Sequence, residues 1–165
     1  ASRGVAPPPV LARHRFPEDW RILLVTPDID AGAHGRREID IFRTHCPVPL
    51  HEVRELCHEV LMRMIPGLVE QDIDLFGSAI NRTQALGFKK VEVAMQHPVV
   101  SSLIEAMVEA GAAGAGLSSF GPTVYAVGDS GMADVARAAK EVLGDRGGTV
   151  IPTRARNDGA AVRAE

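Results

Sequence analysis

Two short β-forming runs around a four-residue turn constrain the fold of this chain more than any other feature. The runs lie near Ala115–Ser118 and Thr123–Val127. Between them, Ser119-Phe120-Gly121-Pro122 carries residues typical of tight turns. The simplest interpretation is a β-hairpin, which joins antiparallel neighbours. We therefore expect an antiparallel pair of strands at this point of the chain.

The region before the hairpin has helical periodicity. Apolar residues spaced three and four apart predict a helix from Val53 to Met64, which Pro66 should end. A second helix should follow, antiparallel to the first, and end near Gly87. Its predicted inner residues are Leu68, Val69, Ile73, Phe76, Ala79, Ile80 and Thr83.

A further helix should begin at His97-Pro98 and end by Gly111, because proline favours the first helical position. Just before it, Val91, Val93 and Met95 alternate with polar residues, and this short pattern does not separate a strand from a loop.

The remaining elements complete the fold class. The apolar run Arg21–Thr26 predicts a strand buried on both faces, Met132–Leu143 predicts a last helix, and Thr149–Ile151 predicts a last strand. The order is then strand, helices, strand, strand, helix, strand. We therefore expect an α+β fold: a ferredoxin-like (split βαβ) antiparallel sheet with extra helices, all on one face.

Composition narrows the function. The formal charge of −3 gives no basic field for nucleic acid, and no apolar stretch is long enough to span a membrane. We expect a cytoplasmic protein with no nucleic-acid or membrane partner. Cys46 and Cys57 are the two cysteines of the sequence, so two reduced thiols are expected rather than a disulfide framework.

The ends of the chain differ in composition from its middle. The first residue is Ala1 rather than Met, and a Gly/Pro-rich stretch follows, which suggests a truncated or processed chain. We predict a linker over residues 1–15, a domain over 16–153 and a polar tail over 154–165. Arg154, Arg156 and Arg163 make the tail basic, but no aromatic residues lie nearby to stack on bases.

Candidate binding residues cluster in the glycine-rich stretch that contains the hairpin. Glycines let backbone amides approach an anion closely, and serine hydroxyls add hydrogen-bond donors. The candidates here are Gly114, Gly116, Ser118, Ser119, Gly121 and Thr123. The alternative is a tight hairpin in which these residues satisfy only their own turn.

A polar loop follows the first strand and offers a second set of candidates. Asp28 and Asp30 could bind a metal, Arg36 and Arg37 a phosphate, and His34 could transfer a proton. His34 and Arg36 are the residues that we include in the phosphate site, and a solvated surface loop is the alternative.

A structural zinc site is not expected. His45, Cys46, His51, Cys57 and His58 carry ligand atoms that zinc prefers, but their spacing follows no zinc pattern. We therefore predict no metal site built from protein side chains.

The string Gly116-Leu117-Ser118-Ser119-Phe120-Gly121-Pro122-Thr123-Val124-Tyr125 resembles the third motif of β-ribofuranosylaminobenzene 5′-phosphate synthases, which belong to the GHMP-kinase superfamily. Phe16-Pro17-Glu18-Asp19-Trp20-Arg21, the apolar strand and Pro27-Asp28 resemble the start of that family's C-terminal domain. Pro7 to Leu11 and Ala33-His34-Gly35 also fit. The resemblance extends from Ser2 to about Asp129.

The resemblance implies a reaction between phosphoribosyl pyrophosphate and 4-aminobenzoate or 4-hydroxybenzoate in methanopterin biosynthesis. Carbon dioxide and pyrophosphate would be released and a C-riboside formed. A pyrophosphate leaving group needs amide, hydroxyl or cationic donors, usually with Mg²⁺. The resemblance implies no ATP requirement, and it identifies no general acid or base.

The same resemblance predicts a partner domain. Members of the superfamily have an N-terminal domain with a phosphate loop of the type Pro-x-x-x-Gly-Leu-Gly-Ser-Ser, which nothing in this sequence matches. Two alternatives remain: the C-terminal domain of an ATP-dependent small-molecule kinase, and a noncatalytic ligand-binding or dimerisation module that could form a homodimer.

Overall fold

The computed structural model describes residues 9–30, 32–159 and 161. Residues 1–8 of the predicted linker and Arg163 of the predicted tail lie outside this range. The elements are β1 (Arg21–Pro27), α1 (Arg36–His45), α2 (Leu50–His58), a π-helical segment (Glu59–Met64), α3 (Ile65–Glu70), α4 (Ile73–Gln84), α5 (Gly87–Ala94), α6 (Pro98–Glu109), β2 (Gly114–Leu117), β3 (Val124–Gly128), α7 (Met132–Leu143), a 3₁₀ turn (Gly144–Arg146) and β4 (Gly148–Thr153).

The four strands form one antiparallel sheet in the order β2-β3-β1-β4. The predicted hairpin is β2 and β3, with Leu117 opposite Val124 at its closed end. Together with the helices of the first crossover, this sheet confirms the predicted α+β class. No helix in the described part of the chain is long and apolar enough to cross a membrane.

One face of the sheet carries the main core, beneath α6 and α7. Leu23 and Val25 of β1 pack there with Leu103 and Met107 of α6 and with Val135 of α7. Each of these side chains is essentially buried. Burying one such aliphatic side chain contributes roughly 1.5–3 kcal/mol, so this layer holds the sheet and both helices together. The alternate residues of β1 are only partly buried, so the prediction that β1 is buried on both faces was wrong.

The second face is covered in part by α4, which corrects the prediction that all helices lie on one face. Phe76 and Ile80 of α4 pack against Trp20 and Val127. The approach is close because glycines meet: a Cβ added to Gly77 would lie 2.2 Å from the Ala113 carbonyl oxygen. Helical periodicity alone shows which side of a helix is buried, but not which face of the sheet buries it.

Pro66 does not end the first helix of the crossover. The chain widens into the π-helical segment Glu59–Met64, and Pro66 then takes the second position of α3. A proline lacks the N–H that an α-helix would bond four residues back, and the wider turn accommodates it. Leu68 and Val69 therefore belong to α3. Helix α4 begins after Asp72, whose carboxylate accepts a 2.9 Å bond from the Leu75 N–H.

The segment left open between strand and loop is helix α5. Its start is capped from another helix, because Glu52 of α2 accepts a 2.7 Å hydrogen bond from the Gly87 N–H. Gly87 has φ of 56°, and a Cβ there would lie 2.5 Å from Leu56 Cδ1, so this position requires glycine. The alternation of Val91 and Val93 resembled a strand, and these tertiary contacts select the helix.

Candidate functional site

The site is built around the turn Ser118–Thr123, which joins β2 to β3. The Ser118 N–H donates to the Thr123 carbonyl (2.9 Å), and the Gly121 N–H donates to the Ser118 carbonyl (2.8 Å). Ser119 has φ of 49°, which L-residues rarely adopt, and Gly121 has φ of 66°. The Ser118 and Ser119 side chains are exposed, whereas Phe120 is buried. The turn therefore presents its serines to solvent and anchors itself through its phenylalanine.

The loop after β1 lies against this turn. A Cβ added to Gly32 would lie 1.6 Å from the Phe120 carbonyl oxygen, so the contact requires a glycine. The imidazole of His34 donates from Nδ1 to the Gly32 carbonyl, 3.1 Å away, because a carbonyl can only accept. The loop that resembles the family and the turn that resembles its third motif thus form one continuous surface.

A cavity of about 210 Å³ lies beside the turn. Its walls include the apolar side chains Ile29, Met95 and Phe120 and the polar side chains Arg37 and His97. His97 also caps α6, since its Nδ1 accepts a 3.1 Å bond from the Val99 N–H. That bond places the proton of a neutral ring on Nε2, so His97 is a hydrogen-bond donor at the cavity.

Helix α5 and the bend that follows it contact the turn through side chains that the sequence analysis missed. The Lys89 ammonium donates to the carbonyls of Leu117 and Ser119, each at 3.3 Å, and is paired with Glu92. Gln96 donates to the Phe120 carbonyl at 3.0 Å. Lys89 and Glu92 are three residues apart, a spacing that is informative only if this segment is assigned as a helix, and Gln96 lies in the bend that follows α5.

Three phenylalanines join this support to α1. Phe42 of α1 stacks on Phe88 of α5, with centroids 4.2 Å apart and planes 8° apart. Phe120 meets both rings edge-on, at 6.0 Å and 5.8 Å. Edge-to-face aromatic pairs stabilise by about 0.5–1.5 kcal/mol beyond burial, so the trio fixes the turn against two helices.

The predicted site residues divide into two groups. Gly114 and Gly116 lie in β2 under α4, where an added Cβ would meet Gly77 at 2.6 Å and Gln84 at 2.6 Å. These two glycines serve helix–sheet packing and do not line the turn surface. The structure brings together the other hairpin candidates: Ser118, Ser119, Gly121 and Thr123.

Thr123, His34 and Arg36 occupy distinct positions around the turn. The Thr123 hydroxyl is hydrogen-bonded to the Thr26 hydroxyl at 2.9 Å, which ties the turn to β1. His34 is exposed on the loop, and Arg36 lies at the start of α1 on a shallow groove next to Arg37. Binding of phosphate by these residues stays a prediction.

Glu52 of α2 and Tyr125 of β3 have shifted pKa values. Hydrogen bonds from the Lys90 ammonium and the Gly87 N–H hold the pKa of Glu52 below its ordinary value. Burial on the second face of the sheet raises the pKa of Tyr125. Neither group lies on the turn surface, so these shifts report on packing rather than on chemistry there.

In the described residues, no group of three or more His, Cys, Asp or Glu side chains lies close enough to hold a metal ion. Cys46 and Cys57 are both free and exposed.

The comparisons with known proteins agree with the fold described above. Residues 64–145 match the family model described as GHMP kinases C terminal. In solved structures, the chain resembles homoserine kinase from Cytophaga hutchinsonii, with a TM-score of 0.70, 19% identity and coverage of 87% of this chain and 44% of that one. It also resembles L. major mevalonate kinase, with a TM-score of 0.62, 16% identity and coverage of 83% and 43%. The fold is therefore that of a GHMP kinase C-terminal domain, and the chain belongs to that family.

Curated relatives identify the branch of the family. The chain is 46% identical over 160 residues to β-ribofuranosylphenol 5′-phosphate synthase of Methanothermobacter thermautotrophicus, covering 97% of this chain and 48% of the relative. The protein of that name from Methanocaldococcus jannaschii is 45% identical over 163 residues, with 96% and 47% covered. The resemblance seen in the sequence is confirmed: the chain is a homologue of the C-terminal part of these synthases. It spans about half their length.

Proposed function

We propose that this chain supplies the C-terminal part of a synthase that transfers a ribosyl 5-phosphate group from phosphoribosyl pyrophosphate to 4-hydroxybenzoate. The observation that carries the proposal is the 42–46% identity to proteins named β-ribofuranosylphenol 5′-phosphate synthase. The word phenol in that name favours 4-hydroxybenzoate over 4-aminobenzoate. The expected setting is methanopterin biosynthesis in the cytoplasm.

The proposed reaction balances without an oxidant or reductant. The ring carbon that bears the carboxylate forms a bond to the ribose anomeric carbon, and the bond from that carbon to the pyrophosphate oxygen breaks. The carboxylate then leaves as carbon dioxide, and its bonding electrons restore the aromatic ring. Pyrophosphate departs with the electron pair of the broken bond. Negative charge therefore accumulates on the leaving group, where donors are needed.

The turn surface can supply such donors. The N–H groups of Ser119 and Phe120 have no acceptor among the described residues, and the Ser118 and Ser119 hydroxyls are exposed beside them. We assign the pyrophosphate of the substrate to this surface. Arg36 and His34, on the adjoining loop and helix start, would add charge and a further donor.

The aromatic acid would occupy the neighbouring cavity. A benzoate ring can pack between Ile29, Met95 and Phe120, whose side chains line the cavity together with Arg37 and His97. Arg37 would attract the carboxylate, and the Nε2–H of His97 would donate to an oxygen of the acid. The benzoate in the cavity and the pyrophosphate group on the turn would thus lie on either side of Phe120.

Mg²⁺ is part of the proposal as a companion of the substrate. The described residues offer no cluster of carboxylates for it, and Asp30 is the acidic side chain among the residues that line the cavity. Mg²⁺ commonly keeps most of its ligands from phosphates and water, so it fits this site as a pyrophosphate-bound ion. Its chemistry would be to neutralise charge on the leaving group, and no ATP is required.

This chain covers about half the length of its relatives, which supports a partner domain. We propose that an N-terminal domain completes the cleft, and that a homodimer is one way in which the enzyme assembles. An ATP-dependent kinase is not favoured. The kinases of similar structure are under 20% identical and show the fold alone, whereas the synthases are more than 40% identical.

Carboxyl-labelled 4-hydroxybenzoate tests the proposal. The chain would be combined with a separately expressed N-terminal half of the Methanothermobacter relative and supplied with phosphoribosyl pyrophosphate and Mg²⁺. We expect labelled carbon dioxide and pyrophosphate in equal amounts. A mixture that folds and associates but releases neither product, while consuming ATP with a small alcohol, would contradict the synthase and indicate a kinase.

A further inference from the structure

The Lys89 ammonium lies behind the Ser118–Thr123 turn, and the described residues supply one acceptor for each of its donors. An ammonium carries three N–H bonds. Its three acceptors here are the Leu117 carbonyl, the Ser119 carbonyl and the Glu92 carboxylate. The Lys89 side chain is 25% exposed and that of Glu92 is 10% exposed. Lys89 is therefore a poor candidate for direct contact with a phosphate, although it is the lysine nearest the turn serines.

Gln96 acts on the same turn from the same side. Its Nε2 donates to the Glu92 carbonyl of α5 at 3.2 Å and to the Phe120 carbonyl at 3.0 Å. The carbonyls of Leu117 and Ser119 are thus bound by a side chain of α5, and the Phe120 carbonyl is bound by a side chain of the bend that follows α5. In a trans peptide the C=O and the following N–H point in opposite directions. Since Lys89 binds the Ser119 carbonyl, the Phe120 N–H points away from α5.

The backbone at Ser119 needs such support. Its φ of 49° lies in the left-handed region, which L-residues hold only where surrounding contacts impose it. The bond from Lys89 to the Ser119 carbonyl is one of these contacts, and the packing of Phe120 on Phe88 and Phe42 is another. Without the ammonium, the Ser119–Phe120 peptide would lose its partner and gain freedom to rotate.

We propose that Lys89 is a positioning residue: with Glu92 and Gln96 it clamps the turn so that the Phe120 amide faces the pyrophosphate group. The proposal rests on the proposed function for the identity of the anion. Lys89 acts through the backbone and does not touch the substrate. Glu92 balances the charge of Lys89, so the clamp orients the backbone of the turn without adding net positive charge to the site.

The chain offers a matched control in the next residue. Lys90 also lies on α5 and forms an ion pair, but with Glu52 of α2 and away from the turn. The substitution Lys89→Met keeps the aliphatic stem and removes all three donors, and Lys90→Met does the same on the other side of the helix. The double substitution Lys89→Met/Glu92→Gln removes the carboxylate that the single variant would leave buried without its partner.

The experiment measures three quantities on each variant: the thermal midpoint, the affinity for inorganic pyrophosphate with Mg²⁺, and the amide ¹H–¹⁵N signals of Ser119 and Phe120. The chain is used with its N-terminal partner half. We expect Lys89→Met to weaken pyrophosphate binding about tenfold or more, because misplaced donors lose their alignment. The Ser119 and Phe120 signals should shift. Lys90→Met should change neither the pyrophosphate affinity nor these two signals.

The double substitution separates positioning from stability. We expect Lys89→Met/Glu92→Gln to recover the thermal midpoint but not the pyrophosphate affinity. If the double variant recovers both the thermal midpoint and the affinity, the clamp proposal is wrong and the proposed function still stands. The same holds if the Lys89→Met enzyme binds pyrophosphate as well as the Lys90→Met enzyme does. Lys89-dependent pyrophosphate binding without ribosyl transfer would instead contradict the proposed function and leave the clamp standing. An unsubstituted enzyme that does not bind pyrophosphate would contradict both.

Discussion

The glycine-rich stretch from Gly111 to Thr123 contains two regions with opposite environments. Its first half is strand β2, whose four residues are all buried, and its second half is the turn, where Ser118 and Ser119 are exposed. In β2 the glycines remove side chains so that α4 can approach. In the turn, positive φ angles let backbone amides face outward. The same composition thus serves packing in one half and forms an exposed turn in the other.

The outer edge of β2 is also occupied by packing contacts. Asn81 accepts from the Ala115 N–H at 2.9 Å, and Gln84 accepts from the Leu117 N–H at 2.9 Å. Side chains of α4 therefore occupy the hydrogen-bonding edge that another strand could otherwise join. Among the described residues, the Ser119 and Phe120 amides of the turn have no such partner. This difference assigns stability to β2 and fits the ligand binding that we propose for the turn.

Gly77→Ala should give the largest effect and test the packing half. Alanine is the better helix former by about 1 kcal/mol, so helix propensity alone predicts stabilisation. The added Cβ would lie 2.2 Å from backbone atoms of Ala113, and we expect a net loss of about 3 kcal/mol in unfolding free energy. Urea denaturation measures it. The control is Gly159→Ala, where an added Cβ meets nothing within 4 Å. Stabilisation by Gly77→Ala would contradict the close approach of α4.

Asn81→Ala should have the next largest effect. The substitution leaves the Ala115 N–H of a buried strand without its acceptor, and it also removes the donor to the Ala113 carbonyl. We expect a loss of about 2 kcal/mol in unfolding free energy, because an unsatisfied buried amide is costly. Arg82→Ala, one residue further along the helix, breaks an exposed ion pair and should cost less than about 1 kcal/mol. Equal losses for the two variants would show that the edge is not sealed by Asn81.

Glu52 should give the smallest effect, confined to acidic pH. Its pKa is lowered from 4.5 in the folded protein, so its bonds to Gly87 and Lys90 stabilise the fold above that value. This stabilisation is lost as pH falls through the folded pKa. We expect Glu52→Gln to lower the unfolding free energy at pH 7, with a difference from the unsubstituted chain that shrinks towards pH 3. A difference that grows on acidification would contradict the sign of the shift.

Much of the fold could be predicted because its patterns are local. Periodicity and terminal residues predict the β2–β3 hairpin, α6 and α7, and the structure confirms all three. The errors have tertiary causes. Pro66 ended the predicted helix, but a π-helical segment accommodates it. Helix α5 depends on a cap from Glu52, which lies 35 residues away in the chain.

The candidate site was predicted in part for the same reason. Ser118, Ser119 and Gly121 lie in a turn whose residue types signal it. The residues that support this turn come from α5 and from the bend after it, and the spacing of Lys89 and Glu92 is informative only once that helix is known. Gly114 and Gly116 were included because composition does not distinguish a packing glycine from a ligand-binding one. Their role becomes visible through the position of Gly77 on the opposing helix.

Isothermal titration of phosphoribosyl pyrophosphate with Mg²⁺ tests the central assignment most directly, using this chain mixed with the N-terminal half of a relative. The ligand would be titrated into the unsubstituted mixture and into Ser118→Ala/Ser119→Ala, whose unfolding free energy should stay within about 0.5 kcal/mol because both side chains are exposed. We expect saturable binding that the double substitution weakens about tenfold or more. Binding that is unchanged by the double substitution, or that occurs with ATP instead, would contradict the assignment of the turn to pyrophosphate.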